Sequence, residues 1–152
     1  AMQGKNAWLI GQNGKLARFE VRLNKDMFDY VVANRFYDPN AQYAAVQPAG
    51  QGIDFPAGSL TPGRTGTIEV KAAWLEIGDP VPWNTYELTD AVVYDATAQP
   101  PCRTATFALV GLHIAHKTAS ATQWTWSTFE HVDNAPDASQ VQSSKIGAQY
   151  AF

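Results

Sequence analysis

The sequence predicts a mainly β protein: an antiparallel β-sandwich or jelly-roll-like barrel with one short α-helix. Several segments alternate apolar and polar side chains with the period of two that is typical of a strand with one wet face. Turn clusters rich in glycine and proline separate these segments. Helical spacing occurs convincingly only near residues 25–34. Many strands, short turns and little helix together favour a sandwich or barrel.

The first predicted strand covers residues 17–23, where Ala17, Phe19, Val21 and Leu23 alternate with charged side chains. An Asn-Gly pair precedes this strand, and this dipeptide is a strong signal for a tight hairpin turn. We therefore expect residues 7–10 to pair with the first strand.

The single predicted helix covers residues 25–34. Asn24 is a good N-cap, Asp26 lies in the first turn where the helix dipole favours a negative charge, and apolar residues recur at helical spacing. Pro39 cannot continue this helix. Residues 38–66 show no periodicity, so we expect a long loop there, of the kind that is often functional.

Four more strands are predicted, near residues 67–77, 86–94, 104–116 and 123–130, each bounded by turn-forming residues. The segment 104–116 is apolar on both faces, which is typical of a central strand that is covered on both sides. The segment 123–130 is its expected antiparallel neighbour.

The length of 152 residues fits one domain with a sizeable core. We expect a single β-rich domain over residues 1–134. Residues 135–152 contain few large apolar side chains before Tyr150 and Phe152. This segment is predicted to be a C-terminal linker or docking arm.

Charge and composition exclude several classes of partner. The net charge is −3, and the 11 basic residues are dispersed, so neither a nucleic acid nor an anionic membrane is an expected partner. No apolar run is long enough to span a membrane. Charged residues make up 16% of the chain against a usual value of about 25%. A surface so poor in lysine and glutamate suggests an exported bacterial protein, periplasmic or extracellular.

Trp124 and Trp126 are the main candidate ligand-binding residues. They lie two apart in the last predicted strand, so their indoles are expected on one face, about 7 Å apart, with Glu130 on the same face. Flat aromatic rings at this spacing suit successive sugar rings, and Glu130 would hydrogen bond to the ligand. The alternative is a core strand, because tryptophans are usually highly buried.

A pair of carboxylates offers an enzyme interpretation. Glycosidases place two acids about 5 to 9 Å apart, and Glu69 and Glu130 are the candidates in this sequence. Neither lies in a cluster of acids with the spacing that such enzymes show. Each is more simply explained as a solvated charge on a strand face.

The histidines and the single cysteine do not predict a metal or cofactor site. His113 and His116 are three apart on a strand and so point to opposite faces, and His131 has no companion with diagnostic spacing. Cys102 has no partner for a disulfide and is expected to be a passive side chain. Asp133 and its neighbours before Pro136 are expected to form a turn.

Three segments carry a family resemblance: GTIEVKAAW at 66–74, GLHIAHKT at 111–118 and WTWSTFEHVDN at 124–134. Across residues 66–134 the chain resembles an uncharacterised group of exported bacterial proteins that are sometimes attached to c-type haem domains. The group has no assigned activity, so the resemblance implies export and a multidomain parent and assigns no site residue. The chain has no C-x-x-C-H motif, so we expect no covalent haem. No other cofactor is expected either.

The sequence thus favours a non-catalytic ligand-binding or interaction domain of a larger exported protein. Carbohydrate is the favoured ligand and a small molecule the other candidate, and other domains of the parent are the expected protein partners. A glycan-acting hydrolase using Glu69 and Glu130 is the first alternative. A structural module is the second. The exposure of Trp124 and Trp126 distinguishes these hypotheses.

Overall fold

The structure, a computed structural model, describes residues 9–11, 13–60, 63–78, 83–121 and 123–134. Among these described residues, many more lie in strands than in helices, so the protein is mainly β. The antiparallel, mainly β fold class that the sequence predicts is confirmed. The segment 135–152, predicted to be a linker or docking arm, lies outside the described residues.

The described part of the chain forms a five-stranded sheet. The strand order is β1-β2-β4-β3, and β5 also pairs with β4. Each strand lies within two residues of its predicted bounds. The strands are β1 (Ala17–Leu23), β2 (Ile68–Glu76), β3 (Leu88–Tyr94), β4 (Cys102–His116) and β5 (Thr125–Glu130).

The 15-residue strand β4 is the central strand, as predicted, because it pairs with β2, β3 and β5. The side chains of Phe107 and Ala108 are 2% and 0% exposed. Adjacent residues of a strand point to opposite faces, so β4 is covered on both sides at this position. Strand β3 runs antiparallel to β4, from Leu88 opposite Ala108 to Tyr94 opposite Cys102.

The structure has two α-helices where the sequence predicted one. Helix α1 covers Lys25–Ala33, and the Asn24 side chain caps it by accepting a hydrogen bond from the Met27 amide at 3.1 Å. Helix α2 covers Pro39–Ala45, within the predicted loop. The prediction of a structureless segment at 38–66 was therefore wrong for these residues. Pro39 ends one helix pattern and then occupies the first position of the next helix, where a missing amide N–H costs nothing.

The predicted hairpin before β1 is confirmed within the described residues. Ile10 and Leu16 form an isolated antiparallel bridge, and the Ala17 amide donates to the Leu9 carbonyl at 2.8 Å. Gly14 has a φ of 74°, a left-handed conformation that glycine adopts without steric cost. Residues 7 and 8 of the predicted partner segment lie outside the described residues.

The contacts divide the chain into two compact units. The first unit takes its described residues from 1–20, 72–112 and 128–152, and the second from 21–71 and 113–127. The buried apolar residues of the first unit are Ala17, Ala72, Leu75, Val93, Phe107, Ala108 and Val110, and those of the second are Met27, Phe36, Ala45 and Ala115. None of the helices in the described ranges is long and apolar enough to cross a membrane.

A buried carboxylate lies in the first unit at the end of β2. Glu76 is 8% exposed. The Arg103 guanidinium donates to its carboxylate at 2.7 Å, and the Lys15 ammonium lies 3.5 Å from the other oxygen. The hydrogen bond from Arg103 lowers the pKa of Glu76 below its ordinary value, against the opposing effect of burial and with help from the charges of Arg103 and Lys15. The ion pair therefore stabilises the fold only while Glu76 is ionised.

We expect Glu76→Gln to destabilise the protein at neutral pH, and the difference from the parent to shrink as the solution is acidified. A carboxyl whose folded-state pKa is lowered contributes full stability above its ordinary pKa of 4.5, and this contribution is lost as the pH falls through the folded-state pKa. Urea unfolding across this pH range measures the effect. Glu69→Gln on the same strand is the control. A loss that is equal at every pH would contradict the assignment.

Candidate functional site

Trp126 is an exposed indole in the middle of β5. Its side chain is 66% exposed, and every residue of β5 is exposed. Tryptophan is usually highly buried, so an indole left in solvent is unusual for a residue with only a packing role. The strand was expected to be either a binding surface or part of the core. The exposure of Trp126 meets the condition for a binding surface.

Trp124 is half-buried and is held by a chain of aromatic rings within the second unit. Its ring meets Phe55 edge-on, with centroids 5.6 Å apart. Phe55 packs against Tyr30 at 4.9 Å, and Tyr30 meets Phe36 edge-on at 5.6 Å. Phe36 is 6% exposed, so the chain of rings ends in the core. These contacts fix the position of the Trp124 ring, so little side-chain entropy is left to lose when a ligand binds.

The same unit carries an exposed carboxylate beside this aromatic chain. Asp54 directly precedes Phe55, and its side chain is 88% exposed. The Lys117 ammonium lies 3.2 Å from the Asp54 carboxylate, and the Asp54 amide donates to the Tyr30 hydroxyl at 3.0 Å. The backbone of Asp54 is therefore fixed, while its carboxylate remains open to solvent.

Glu130 belongs to the first unit and not to the unit of the two tryptophans. It is exposed and lines an open cavity of about 210 Å³, which we call the β4–β5 groove. The groove is lined by residues 109–112 of β4, residues 129–131 and Glu87. Sequence reasoning did not find this groove, because nothing in the sequence brings Glu87 next to Glu130.

The carboxylate pair of the hydrolase hypothesis is not brought together within either unit. Glu69 is half-buried on β2 in the second unit, whereas Glu130 lies in the first. A glycosidase needs its two acids held at a defined separation across the scissile bond. No described contact supplies that arrangement for these two residues.

His131 has partners on both ring nitrogens. Its Nε2 lies 3.2 Å from the Thr85 carbonyl oxygen, and the Asp133 amide donates to Nδ1 at 3.2 Å, which assigns the proton to Nε2. The ring stacks on Tyr86 with centroids 3.5 Å apart. The Tyr86 hydroxyl donates to the Asp133 carboxylate at 3.2 Å. Burial, followed by the charge of and hydrogen bond to Asp133, raises the pKa of Tyr86 to about 12.

These contacts make His131 a structural residue at the end of β5. Its amide also donates to the Val110 carbonyl at 3.1 Å, and the Asn134 side chain donates to the same carbonyl at 2.7 Å. The predicted turn here is a single 3₁₀ turn, Val132–Asn134. These hydrogen bonds therefore hold the end of β5 against β4.

Of the remaining histidines, His113 is exposed on β4. The Nε2 of His116 lies 2.7 Å from the Thr65 carbonyl oxygen, and Cys102 is an exposed free thiol. Within the part of the chain that the structure describes, no three His, Cys, Asp or Glu side chains are grouped to hold a metal ion.

No protein-family model, curated protein or solved structure matches this chain. The resemblance stated from the sequence stays a prediction.

Proposed function

We propose that this chain is a non-catalytic carbohydrate-binding domain, with Trp126 as the aromatic platform for a sugar ring. The observation that carries the proposal is the 66% exposure of the Trp126 side chain on a strand that is exposed along its length. Tryptophan is highly buried on average, so an indole with this exposure is available for contact with a ligand. An indole is also the flat apolar surface that the C–H face of a pyranose matches.

Trp124 supports this proposal as the anchored neighbour of the platform. Its contact with Phe55, 5.6 Å between ring centroids, holds the half-buried ring in place before a ligand arrives. A ring that is already immobilised loses little side-chain entropy on binding. Trp124 therefore serves to limit the mobility of the segment that leads into Trp126.

Sugar hydroxyls also need hydrogen-bond partners. The second unit supplies the Asp54 carboxylate, which is 88% exposed and ion-paired with Lys117 at 3.2 Å. A charged carboxylate accepts stronger hydrogen bonds from hydroxyls than a neutral oxygen does. Asp54 takes this role in the proposal, in place of Glu130, which the sequence suggested and which belongs to the first unit.

The proposal includes a setting in a larger exported bacterial protein. The low charged fraction, 16% of the chain, supports it, since the surface relies on uncharged polar side chains. Other domains of that parent would then be the partners of this one. The hydrolase alternative has no comparable support, because no described contact joins Glu69 to Glu130.

Trp126→Ala is expected to weaken carbohydrate binding by about 1 to 3 kcal/mol, because stacking on the indole is lost. The free energy of unfolding should change by less than about 1 kcal/mol, since an exposed side chain leaves no cavity. Affinity electrophoresis in gels containing xylan, laminarin, hydroxyethyl cellulose or glycol chitin measures binding. Urea unfolding measures stability.

Tyr94→Ala is the matched control, because Tyr94 is a 70% exposed aromatic residue on a strand of the first unit. It should bind the same polysaccharide as the parent does. Retardation by none of the four polysaccharides, or equal retardation of parent and Trp126→Ala, would overturn the proposal.

A further inference from the structure

We propose that the β4–β5 groove binds a small organic cation, an ammonium ion that carries an apolar or aromatic body. The groove belongs wholly to the first unit and shares no residue with the platform around Trp126. This inference therefore does not depend on the proposed carbohydrate-binding function.

The floor of the groove is apolar. Residues 109–112 of β4, which are apolar, line it together with Phe129, which is 56% exposed. The volume of about 210 Å³ is smaller than the range of about 300 to 1,000 Å³ that drug-sized ligands occupy. The groove therefore suits a ligand the size of one substituted ring or a short aliphatic chain.

The charge at the groove has a single sign. Glu87 and Glu130 both line it, and both are exposed. Among the described residues, neither carboxylate has an ion-pair partner. Two uncompensated carboxylates beside an apolar floor favour a ligand with one cationic end and one apolar end, and they repel anions.

Backbone hydrogen bonds hold the two acidic segments on β4. The Leu109 amide donates to the Glu87 carbonyl at 2.9 Å, and the His131 amide donates to the Val110 carbonyl at 3.1 Å. The stack of His131 on Tyr86, 3.5 Å between centroids, links the same two segments. The backbone of both acidic segments is therefore fixed, which lowers the cost of ordering their side chains around a ligand.

Benzylammonium is the probe, and benzyl alcohol is its neutral near-isostere. Titration of the ¹⁵N-labelled protein by NMR should show shifts at residues 109–112 and 129–131, with the ammonium binding more tightly than the alcohol. Added salt should weaken the ammonium complex, because exposed charges are screened. Glu87→Gln and Glu130→Gln should each raise the Kd about two- to fivefold, the range expected for one exposed ion pair.

Glu69→Gln removes a carboxylate outside the groove and should leave the Kd unchanged. Trp126→Ala should leave it unchanged too, so failure of the carbohydrate proposal would not be mistaken for failure of this one. The inference is overturned if the alcohol binds as tightly as the ammonium, if both glutamine variants bind like the parent, or if benzylammonium shifts no groove resonance.

Discussion

Phe107→Ala is expected to lower the free energy of unfolding by about 3 to 5 kcal/mol, because it removes a buried ring and leaves a cavity. Phe107 is 2% exposed on the central strand β4, and its neighbour Ala108 is fully buried on the opposite face. Interiors are packed to the density of organic crystals, so the strands around β4 cannot close the space without distortion.

Phe129→Ala is the matched control for this change. Phe129 is also a strand phenylalanine, in β5, but its side chain is 56% exposed. Its loss should cost less than about 1 kcal/mol. Urea unfolding, read as a change of midpoint at constant slope, compares the two variants. Equal losses would mean that β4 is not the central buried strand.

Gly66→Ala is expected to destabilise the second unit by about 3 to 5 kcal/mol, or to prevent its folding. Gly66 has a φ of +86°, and a side chain there costs about 1 to 2 kcal/mol in backbone strain alone. An added methyl group would also meet backbone atoms of Gly58 and Lys117, and would lie 2.9 Å from the Ala57 carbonyl carbon. Backbone atoms cannot rotate away, so the chain itself would have to move.

Gly52→Ala is the control that separates backbone strain from steric conflict with neighbouring backbone atoms. Gly52 has a similar φ of +77°, and an added methyl group would meet nothing within 4 Å. This variant should therefore lose only the strain, about 1 to 2 kcal/mol. Thermal unfolding followed by circular dichroism compares the two alanine variants. Equal melting temperatures would contradict the conclusion that Gly66 lies too close to the backbone of Gly58 and Lys117 for a side chain.

The sequence predicted the sheet well because strand formation depends on a local pattern. The alternation at residues 17–23 and the two apolar faces of residues 104–116 both correspond to observed strands, and the second is central as expected. The spacing of apolar side chains along a strand indicates directly whether one face or both faces are buried. Helix α1 was equally clear, since Asn24 and the helical spacing act within a few residues.

The second helix was missed because a proline can either end a helix or begin one. Pro39 ends the pattern of α1, but with Asp38 as N-cap it also begins α2. The segment that follows, Asn40–Ala45, contains only one large apolar residue, Tyr43, which is 70% exposed. Without an apolar stripe, periodicity cannot reveal a helix.

The candidate site was only partly accessible from the sequence. The alternation around Trp126 predicts which side chains share a face, and it does not say whether that face is wet. The residues that fix Trp124 are far away in the chain, since Phe55 and Tyr30 precede it by 69 and 94 positions. Contacts over such separations leave no local pattern. The β4–β5 groove was missed for the same reason.

Iodide quenching of tryptophan fluorescence tests whether the Trp126 indole is an exposed platform for sugar. The difference between the parent and Trp126→Ala isolates the emission of this indole. We expect that emission to be strongly quenched by iodide, because the side chain is 66% exposed. The polysaccharide that retards the protein should protect it from the quencher. The sugar-platform role of Trp126 would be contradicted if iodide could not reach the indole. It would also be contradicted if the indole stayed equally quenchable with the polysaccharide bound.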